Sequence, residues 1–222
     1  MIVYIYKLAF GGEENMEINN KTSRGINKAE EVEPLKNIKD ISKIKQFLLG
    51  KENKRDYMLF VIGINVGLRA GDLLSLTIND IFQDGKIVDR VNINEQKTDK
   101  KREFQLNKSA KDAIAIYLST LKNVDVDSYL FKSRKGDGSL TVESAHKIIK
   151  TTLRELNIKG NYGTHTLRKT FAYHIYANNI KTNPSIINTL QKMLNHSSAS
   201  VTLRYIGITK EVISDVYNSL NL

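Results

Sequence analysis

The stretch GTHTLRKTFAYHI, residues 163–175, predicts a helix with two chemically distinct sides. His165 and Arg168 stand three positions apart, so a helix brings them to one face near its start. Phe171 and Ile175 form the apolar side that would pack against a core. The histidine and arginine alone are a weak signal for a functional site, so their meaning depends on the rest of the sequence.

A second segment, LQKMLNHSSASVTLRYIGI at residues 190–208, adds His196 and Tyr205. Asn195 stands in a predicted turn, and asparagine tolerates the left-handed backbone that such turns need. Taken alone, His196 could equally cap a helix, and one tyrosine among ten carries no meaning. A phenol is also a poor nucleophile at neutral pH, because its ordinary pKa is about 10.

Arg69 lies in a third segment, GLRAGDLLSL at residues 67–76, directly after an apolar helix predicted at 55–68. A buried helix does not need an arginine at its end. The simplest interpretation is a capping cation, or a salt bridge to Asp72 three positions later.

The fourth segment, NEQKTDKKREFQL at residues 94–106, contains the tip of a predicted β-hairpin, QKTDKK. Lys97, Lys100 and Lys101 all stand in this tip. Lysines at such a tip are more often merely solvated than catalytic. One of them could act as an acid if nearby arginines lower its pKa from the usual value of about 10.4. The residues alone leave the choice among the three lysines open.

Two arginines, a lysine and two histidines are the side chains that a protein would gather around one phosphodiester, and a tyrosine adds a nucleophile. Together the four segments resemble the catalytic domain of the tyrosine recombinases, also called the phage integrase family. The resemblance runs from residue 55 to 208 and covers both order and rough spacing. It implies six site residues: Arg69, Lys97, His165, Arg168, His196 and Tyr205.

The resemblance also implies a role for each of these residues. Tyr205 would attack the scissile phosphate, while Arg69 and Arg168 would clamp its non-bridging oxygens. His196 would hydrogen-bond a non-bridging oxygen as well. The cationic neighbours would lower the cost of forming the phenolate of Tyr205 and would stabilise the transition state.

Lys97 would protonate the leaving 5′ oxygen, and His165 would serve in proton transfer at the tyrosine. Two positions depart from the family's pattern. Asp72 stands where the family usually has glutamate, which orients the first arginine, and Asn195 replaces the usual glycine.

Composition points to a polyanionic partner. The 222 residues carry a net charge of +10, and the pI is 9.5. A basic balance of this size favours nucleic acid, although a merely basic soluble protein is about as common. The chain has no cysteine, which excludes disulfides, thiolate zinc sites and cysteine catalysis and suits a reducing cytoplasm.

The sequence predicts neither a membrane span nor a cofactor. No apolar run reaches the roughly 18 residues that a membrane helix needs. No carboxylate cluster, metal-ligand spacing or phosphate-binding glycine loop is visible, so we expect no metal, no ATP and no other small-molecule cofactor.

The expected fold is mainly α with one small antiparallel β-sheet, an α+β arrangement. Residues 1–35 are predicted to form a loose N-terminal arm, with Met16 as an alternative start, and 36–222 to form the catalytic domain. The family's usual N-terminal core-binding domain is expected to be absent, so the chain is a truncated form, a fragment or a minimal recombinase. Predicted helices begin after Asp40 and at 55, 72, 108, 141, 164 and Pro184, and Ser197 or Ser198 caps the last; predicted strands are 86–95, 102–106 and 129–131.

The function implied is that of a site-specific recombinase or integrase, which cuts and rejoins DNA through a 3′-phosphotyrosyl intermediate. The implied partner is double-stranded DNA, bound by a homo-tetramer in the bacterial cytoplasm, in the service of a mobile element. Two alternatives stay open: DNA relaxation of the topoisomerase IB type, and a catalytically idle DNA-binding relict.

Overall fold

The computed structural model describes residues 31–207, 217, 218 and 220. Within these residues helices dominate, and the strands form two small antiparallel sheets of two strands each. The predicted class, mainly α with a small antiparallel β component, is therefore confirmed, although the strands divide into two sheets where we expected one. No helix in this part of the chain is both long and apolar enough to span a membrane.

Nine helices follow one another in the described residues. They are α1 (Ile38–Gly50), α2 (Lys54–Val66), α3 (Ala70–Leu74), α4 (Ile78–Ile81), α5 (Lys108–Leu118), α6 (Val142–Glu155), α7 (Thr164–Asn179), α8 (Ile186–Leu194) and α9 (Ala199–Ile206). The strands lie between α4 and α5. They are β1 (Phe82–Gln83), β2 (Lys86–Ile87), β3 (Arg90–Asn94) and β4 (Lys101–Gln105), paired β1 with β2 and β3 with β4.

Two helix starts differ from the sequence prediction because other residues cap them. Asn37, rather than Asp40, caps α1, since its side chain accepts a hydrogen bond from the backbone N–H of Lys39. The single helix predicted over 72–81 is two helices. Thr77 interrupts it by forming a capping box with Asp80, which starts α4 anew.

The end of the chain's described part follows the prediction more closely. Ser198 is the residue that caps α9, accepting from the N–H of Val201. Asn195 ends α8 in the left-handed conformation, with φ 52° and ψ 46°, as expected. Helix α8 begins at Ile186, two residues after the predicted Pro184.

The strand predicted at 129–131 is wrong. Only isolated bridges form near it, from Thr77 to Tyr129 and from Lys132 to Ser139. The apolar residues responsible for the prediction, Leu130 and Phe131, are completely buried and anchor the loop to the core. Burial, rather than sheet pairing, explains the apolar run.

The core is organised around α2, which is buried on nearly every side and packs between α5 and α7. A second, smaller apolar cluster joins α7, α8 and α9 through Phe171, Leu190, Leu194 and Ile206. Tyr205 packs against this cluster. The tyrosine's position therefore depends on contacts made by the last three helices.

The chain that precedes α1 lies against α7. We call residues 31–37 the strap. The N–H of Leu35 donates to Thr170 Oγ1 at 2.8 Å, and the carbonyl of Leu35 lies 2.8 Å from His174 Nε2. Residues 31–35 belong to the predicted N-terminal arm, but in the structure they pack on the domain. Residues 1–30 of that predicted arm lie outside the described residues.

We predict that Gly67→Ala lowers the free energy of unfolding by about 3 kcal/mol, because left-handed strain costs roughly 1–2 kcal/mol and overpacking about 1–3 kcal/mol. Gly67 ends α2 with φ 61°, and a Cβ there would lie 2.2 Å from Phe171 Cδ1. Urea unfolding measures the change.

Gly85→Ala is the matched control for this substitution. Gly85 also has a positive φ, 73°, but a Cβ there meets no atom within 4 Å. It should show the strain alone, roughly 1–2 kcal/mol. If the free energy of unfolding fell equally in the two variants, the Cβ added at position 67 would not clash with Phe171.

Candidate active site

Arg168 is the most deeply held of the six predicted site residues. Its side chain extends from α7 into the protein, and the residue is only 4% exposed. Nη1 donates to the carbonyl of Gly67 at 2.8 Å, and Nη2 donates to the carbonyl of Leu194 at 2.7 Å. One side chain thus joins the ends of α2 and α8. Burial lowers the pKa of Arg168 to about 10, which leaves it charged at neutral pH.

Arg69 stands at the N-terminus of α3 and keeps 22% of its side chain exposed. The salt bridge expected with Asp72 is long, 4.0 Å from Nη1 to Oδ2. A nearer carboxylate lies on the hairpin, where Glu95 Oε2 is 2.7 Å from the same nitrogen. Asp72 uses its other oxygen, Oδ1, to accept the backbone N–H of Gln96 at 2.9 Å.

Glu95 is a site residue that the sequence reasoning missed. It is 2% exposed and contacts Arg102 as well as Arg69. A signal for it did exist. Successive residues of a strand point to opposite sides, and Val91, Ile93 and Glu95 share the inward side of β3 and its extension.

Lys97 is exposed in the tip that follows β3. Its charge is among those that lower the pKa of His165, so the tip stands near the start of α7. Lys100 and Lys101 instead line a cavity of about 560 Å³ together with Asn195 and other residues, and Lys97 is not part of its lining. The proximity of Lys97 to His165 is what favours it among the three lysines that the sequence left open.

The two histidines border the arginines from different helices. Burial lowers the pKa of His165, and the charges of Arg168, Lys169 and Arg69 lower it further. Burial, Arg168 and Arg69 likewise lower the pKa of His196. Both imidazoles are therefore held towards their neutral form, in which one ring nitrogen can accept a proton.

Tyr205 lies in α9 with its ring between two site groups. The ring of His196 meets it edge-on, with 5.0 Å between centroids. Lys169 Nζ stands 5.0 Å from the ring centroid on another side, and it forms an ion pair with Glu31 Oε1 of the strap at 3.0 Å. Lys169 itself is 4% exposed, and its proximity was not foreseen from the sequence.

The hydroxyl of Tyr205 is buried and makes no well-aligned hydrogen bond among the described residues, although the Arg168 guanidinium lies close enough to interact with it. Burial raises the pKa of this phenol, while Arg168 and Arg69 act in the opposite direction. The expected help from the arginines is present, but in this structure burial outweighs it. Forming the phenolate therefore needs a proton acceptor, and the neutral histidines are the nearby candidates.

Positive charge at this site comes from side chains. Within residues 31–207, 217, 218 and 220, no group of three or more His, Cys, Asp or Glu is placed to hold a metal ion. Arg69, Arg168 and Lys97 can provide the charge that a phosphate and its transition state require.

A helical domain that brings two arginines, two histidines and a hairpin lysine near a tyrosine with a buried hydroxyl has the organisation of the tyrosine recombinases. The profile of the phage integrase family matches residues 31–211, which is most of the chain. The chain belongs to the phage integrase family, the class of enzymes that cut and rejoin DNA through a tyrosine.

Individual relatives agree with this assignment. The chain is 38% identical over 186 residues to the probable integrase/recombinase YoeC of Bacillus subtilis, covering 84% of this chain and 95% of the relative. It is 28% identical over 185 residues to the tyrosine recombinase XerC of Caldanaerobacter subterraneus, covering 82% and 49%. The chain thus spans nearly all of the former protein and about half of the latter.

Solved structures share the fold. The crystal structure of XerA recombinase superimposes with a TM-score of 0.66 at 20% identity, covering 87% of this chain and 66% of that one. The post-cleavage complex of XerH recombinase gives 0.62 at 21% identity, covering 82% and 51%.

We predict that Arg168→Ala lowers the free energy of unfolding by about 1–3 kcal/mol, because the Leu194 carbonyl loses its side-chain donor while the Gly67 carbonyl keeps Arg102 as a donor. The two carbonyl contacts thus give Arg168 a structural role beside its proposed place at the phosphate. Urea unfolding followed by circular dichroism tests it.

Arg90→Ala removes an arginine whose side chain is 62% exposed and should change stability by less than about 0.5 kcal/mol. If Arg168→Ala unfolds at the same urea concentration as this control, Arg168 does not support the two helix ends.

Proposed function

We propose that this chain is a site-specific DNA recombinase in which Tyr205 is the nucleophile. The phenol oxygen attacks the scissile phosphorus, and the bond from phosphorus to the 5′ oxygen breaks. A 3′-phosphotyrosyl link forms and a 5′-hydroxyl is released. A 5′-hydroxyl from a second duplex then attacks the link and frees Tyr205, so the number of phosphodiester bonds is conserved and strands are exchanged.

The observation that carries this proposal is the buried hydroxyl of Tyr205, which lies beside Arg168 without a well-aligned hydrogen bond. Leaving a buried hydroxyl without a partner costs about 1–3 kcal/mol, so such groups are rare outside functional sites. This hydroxyl also lies within the electrostatic influence of Arg168 and Arg69, the two groups best suited to a phosphate.

The other side chains complete the reaction. Arg69 and Arg168 hold the non-bridging oxygens, and His196 provides a further hydrogen bond to them. His165, kept neutral by its surroundings, takes the proton of the phenol. Lys97 donates a proton to the departing 5′ oxygen, which would otherwise leave as a costly alkoxide.

Double-stranded DNA is the proposed substrate. The net charge of +10 supports it, since cationic proteins gain affinity for DNA by releasing the counterions of the phosphates. The solved XerH and Tn1549 integrase complexes contain their own DNA substrates. We further propose that residues 36–222 act as the catalytic domain, that four copies assemble on two duplexes, and that the protein works in the bacterial cytoplasm on a mobile element.

Recombination is favoured over relaxation of the topoisomerase IB type. Both would use the same tyrosine, and they differ in whether the original strand or a partner strand is rejoined. The relatives carry the names integrase and recombinase, which supports exchange between duplexes. An idle relict would form no covalent link, and the following experiment separates it from an enzyme.

We predict that Tyr205→Phe forms no covalent adduct with a nicked suicide substrate while binding duplex DNA within about 3-fold of the wild type, because affinity comes mainly from phosphate contacts. Gel electrophoresis under denaturing conditions measures the adduct, and fluorescence anisotropy measures binding. Tyr129→Phe, at a 37% exposed loop tyrosine, is the control and should form adduct normally.

An adduct that persists in Tyr205→Phe would refute the assignment of the nucleophile. No adduct with the wild type on its own target DNA would refute the proposed function. Peptide mapping of the adduct identifies the attached residue directly.

We predict that the Lys97→Ala variant does not cleave ordinary DNA but does cleave a substrate with a 5′-bridging phosphorothiolate. A thiolate leaves without a proton, so the loss of a general acid is repaired by sulfur. Removing a catalytic acid costs about 10²–10⁴ in rate on the oxygen substrate. Single-turnover cleavage of the two substrates measures the difference.

Lys100→Ala and Lys101→Ala are the matched controls, since they remove the same charge from the same hairpin. If Lys97→Ala cleaved ordinary DNA normally, and one of the control variants cleaved only the phosphorothiolate substrate, the general acid would be that control lysine and not Lys97. A Lys97→Ala variant that sulfur does not rescue would limit this lysine to holding DNA.

A further inference from the structure

Glu95 is an acid buried among the cations of the site. With Asp72, it is one of two buried acids in the described residues. Its Oε2 lies 2.7 Å from Arg69 Nη1 and accepts a hydrogen bond of 2.7 Å from Thr98 Oγ1. Its Oε1 accepts a bond of 3.1 Å from Arg102 Nη1. A single carboxylate therefore contacts two arginines that come from different elements.

The carboxylate is ionised despite its burial. Burial alone would raise the pKa of Glu95, but hydrogen bonds from Thr98 and Arg102 and the adjacent charge of Arg69 together lower it to about 2. Its negative charge is therefore present at neutral pH and attracts both guanidinium groups.

Asp72 leaves Arg69 without a close partner on its own helix. One oxygen of Asp72 accepts a hydrogen bond from the N–H of Gln96, and the other lies 4.0 Å from Arg69 Nη1. That second oxygen is buried without a hydrogen bond among the described residues. One more methylene, about 1.5 Å, would bring an acid at position 72 into contact with Arg69. Glu95, on the hairpin, provides the close carboxylate partner for Arg69 that the shorter Asp72 does not provide.

The backbone of Glu95 also closes the hairpin tip. Its N–H donates to the carbonyl of Lys100 at 3.0 Å, and its carbonyl accepts the N–H of Asp99 at 2.8 Å. Lys97 lies within the turn that these two bonds enclose. The same residue therefore holds Arg69 through its side chain and the loop of Lys97 through its main chain.

We propose that Glu95 is a positioning residue that aims the Arg69 guanidinium at the scissile phosphate and fixes the tip of Lys97 relative to it. This inference rests on the proposed recombinase function of the same site. Glu95 lies 2.7 Å from Nη1 of Arg69, and the arginine side chain stays 22% exposed and open to an incoming phosphate. Glu95 acts through Arg69 and need not touch DNA.

The first test is Glu95→Gln, which keeps the shape of the side chain and removes its charge. The adduct rate at saturating DNA should fall about 10–100-fold, as expected when a catalytic group is displaced by about 1 Å. The Kd for DNA should change by less than about 3-fold, because the phosphate contacts that dominate affinity remain. Thermal unfolding verifies that the variant is folded at the assay temperature.

Glu103→Gln is the matched control on the same hairpin. Glu103 is exposed and pairs with Arg90 across the surface at 3.6 Å. It loses the same charge as Glu95→Gln, so its adduct rate should stay within about 2-fold of the wild type. An equal loss in both variants would attribute the effect to hairpin charge in general and overturn the proposal.

The second test restores the acid from the other side. Asp72→Glu, combined with Glu95→Gln, closes the 4.0 Å gap to Arg69 from α3. We expect it to recover about 10-fold in adduct rate over Glu95→Gln alone, since the arginine regains a carboxylate partner. A purely structural loss at position 95 would not be repaired by an acid on a different element. A folded double variant without recovery would count against the proposal.

The third test does not depend on cleavage. In protein labelled with ¹⁵N-arginine, the guanidinium signals of Arg69, assigned with Arg69→Lys, report how firmly the group is held. They should show restricted rotation in the wild type and faster rotation in Glu95→Gln. Unchanged Arg69 signals would overturn the positioning role whatever the activity. If the wild type formed no adduct, the recombinase function would fail, and this spectrum would still decide the role of Glu95.

Discussion

The carbonyl of Gly67 is the acceptor on which the site depends. Arg168 donates to it at 2.8 Å and Arg102 at 3.2 Å, so two cations from different elements converge on one backbone oxygen. That oxygen is available because α2 ends there in a left-handed glycine, which turns the chain towards Arg69. The end of the most buried helix therefore determines where the cationic groups of the site meet.

The charge balance around this acceptor suits an anion. Arg69, Arg102 and Arg168 are grouped together, and Glu95 neutralises them only in part. Water screens charges poorly in a partly buried cluster, so the remaining positive potential acts strongly on a phosphate that enters. Backbone carbonyls hold Arg168 without cancelling its charge, which keeps that charge available to the substrate.

The sequence indicated the proposed reacting groups more readily than the groups that hold them. His165, Arg168, His196 and Tyr205 could be proposed because the segments that contain them resemble the phage integrase family in order and rough spacing. Asn195 could be assigned to its turn because only a few residue types accept that backbone. Glu95 and Lys169 were missed, since their importance comes from contacts with Arg69 and Glu31 that are distant in the chain. The false strand at 129–131 has a similar origin, because an apolar run reports burial without saying what kind of element is buried.

The strap links the first described residues to Tyr205. Glu31 neutralises Lys169, and the same ammonium faces the ring of Tyr205. Glu31 is 67% exposed while Lys169 is buried, so the acid is the member of the pair that solvent or a ligand can reach. If Glu31 moved away, the buried ammonium of Lys169 would lose its ion-pair partner and would still face the ring of Tyr205. The position of an exposed acid at residue 31 is thus linked to the acidity of a side chain 174 positions further along.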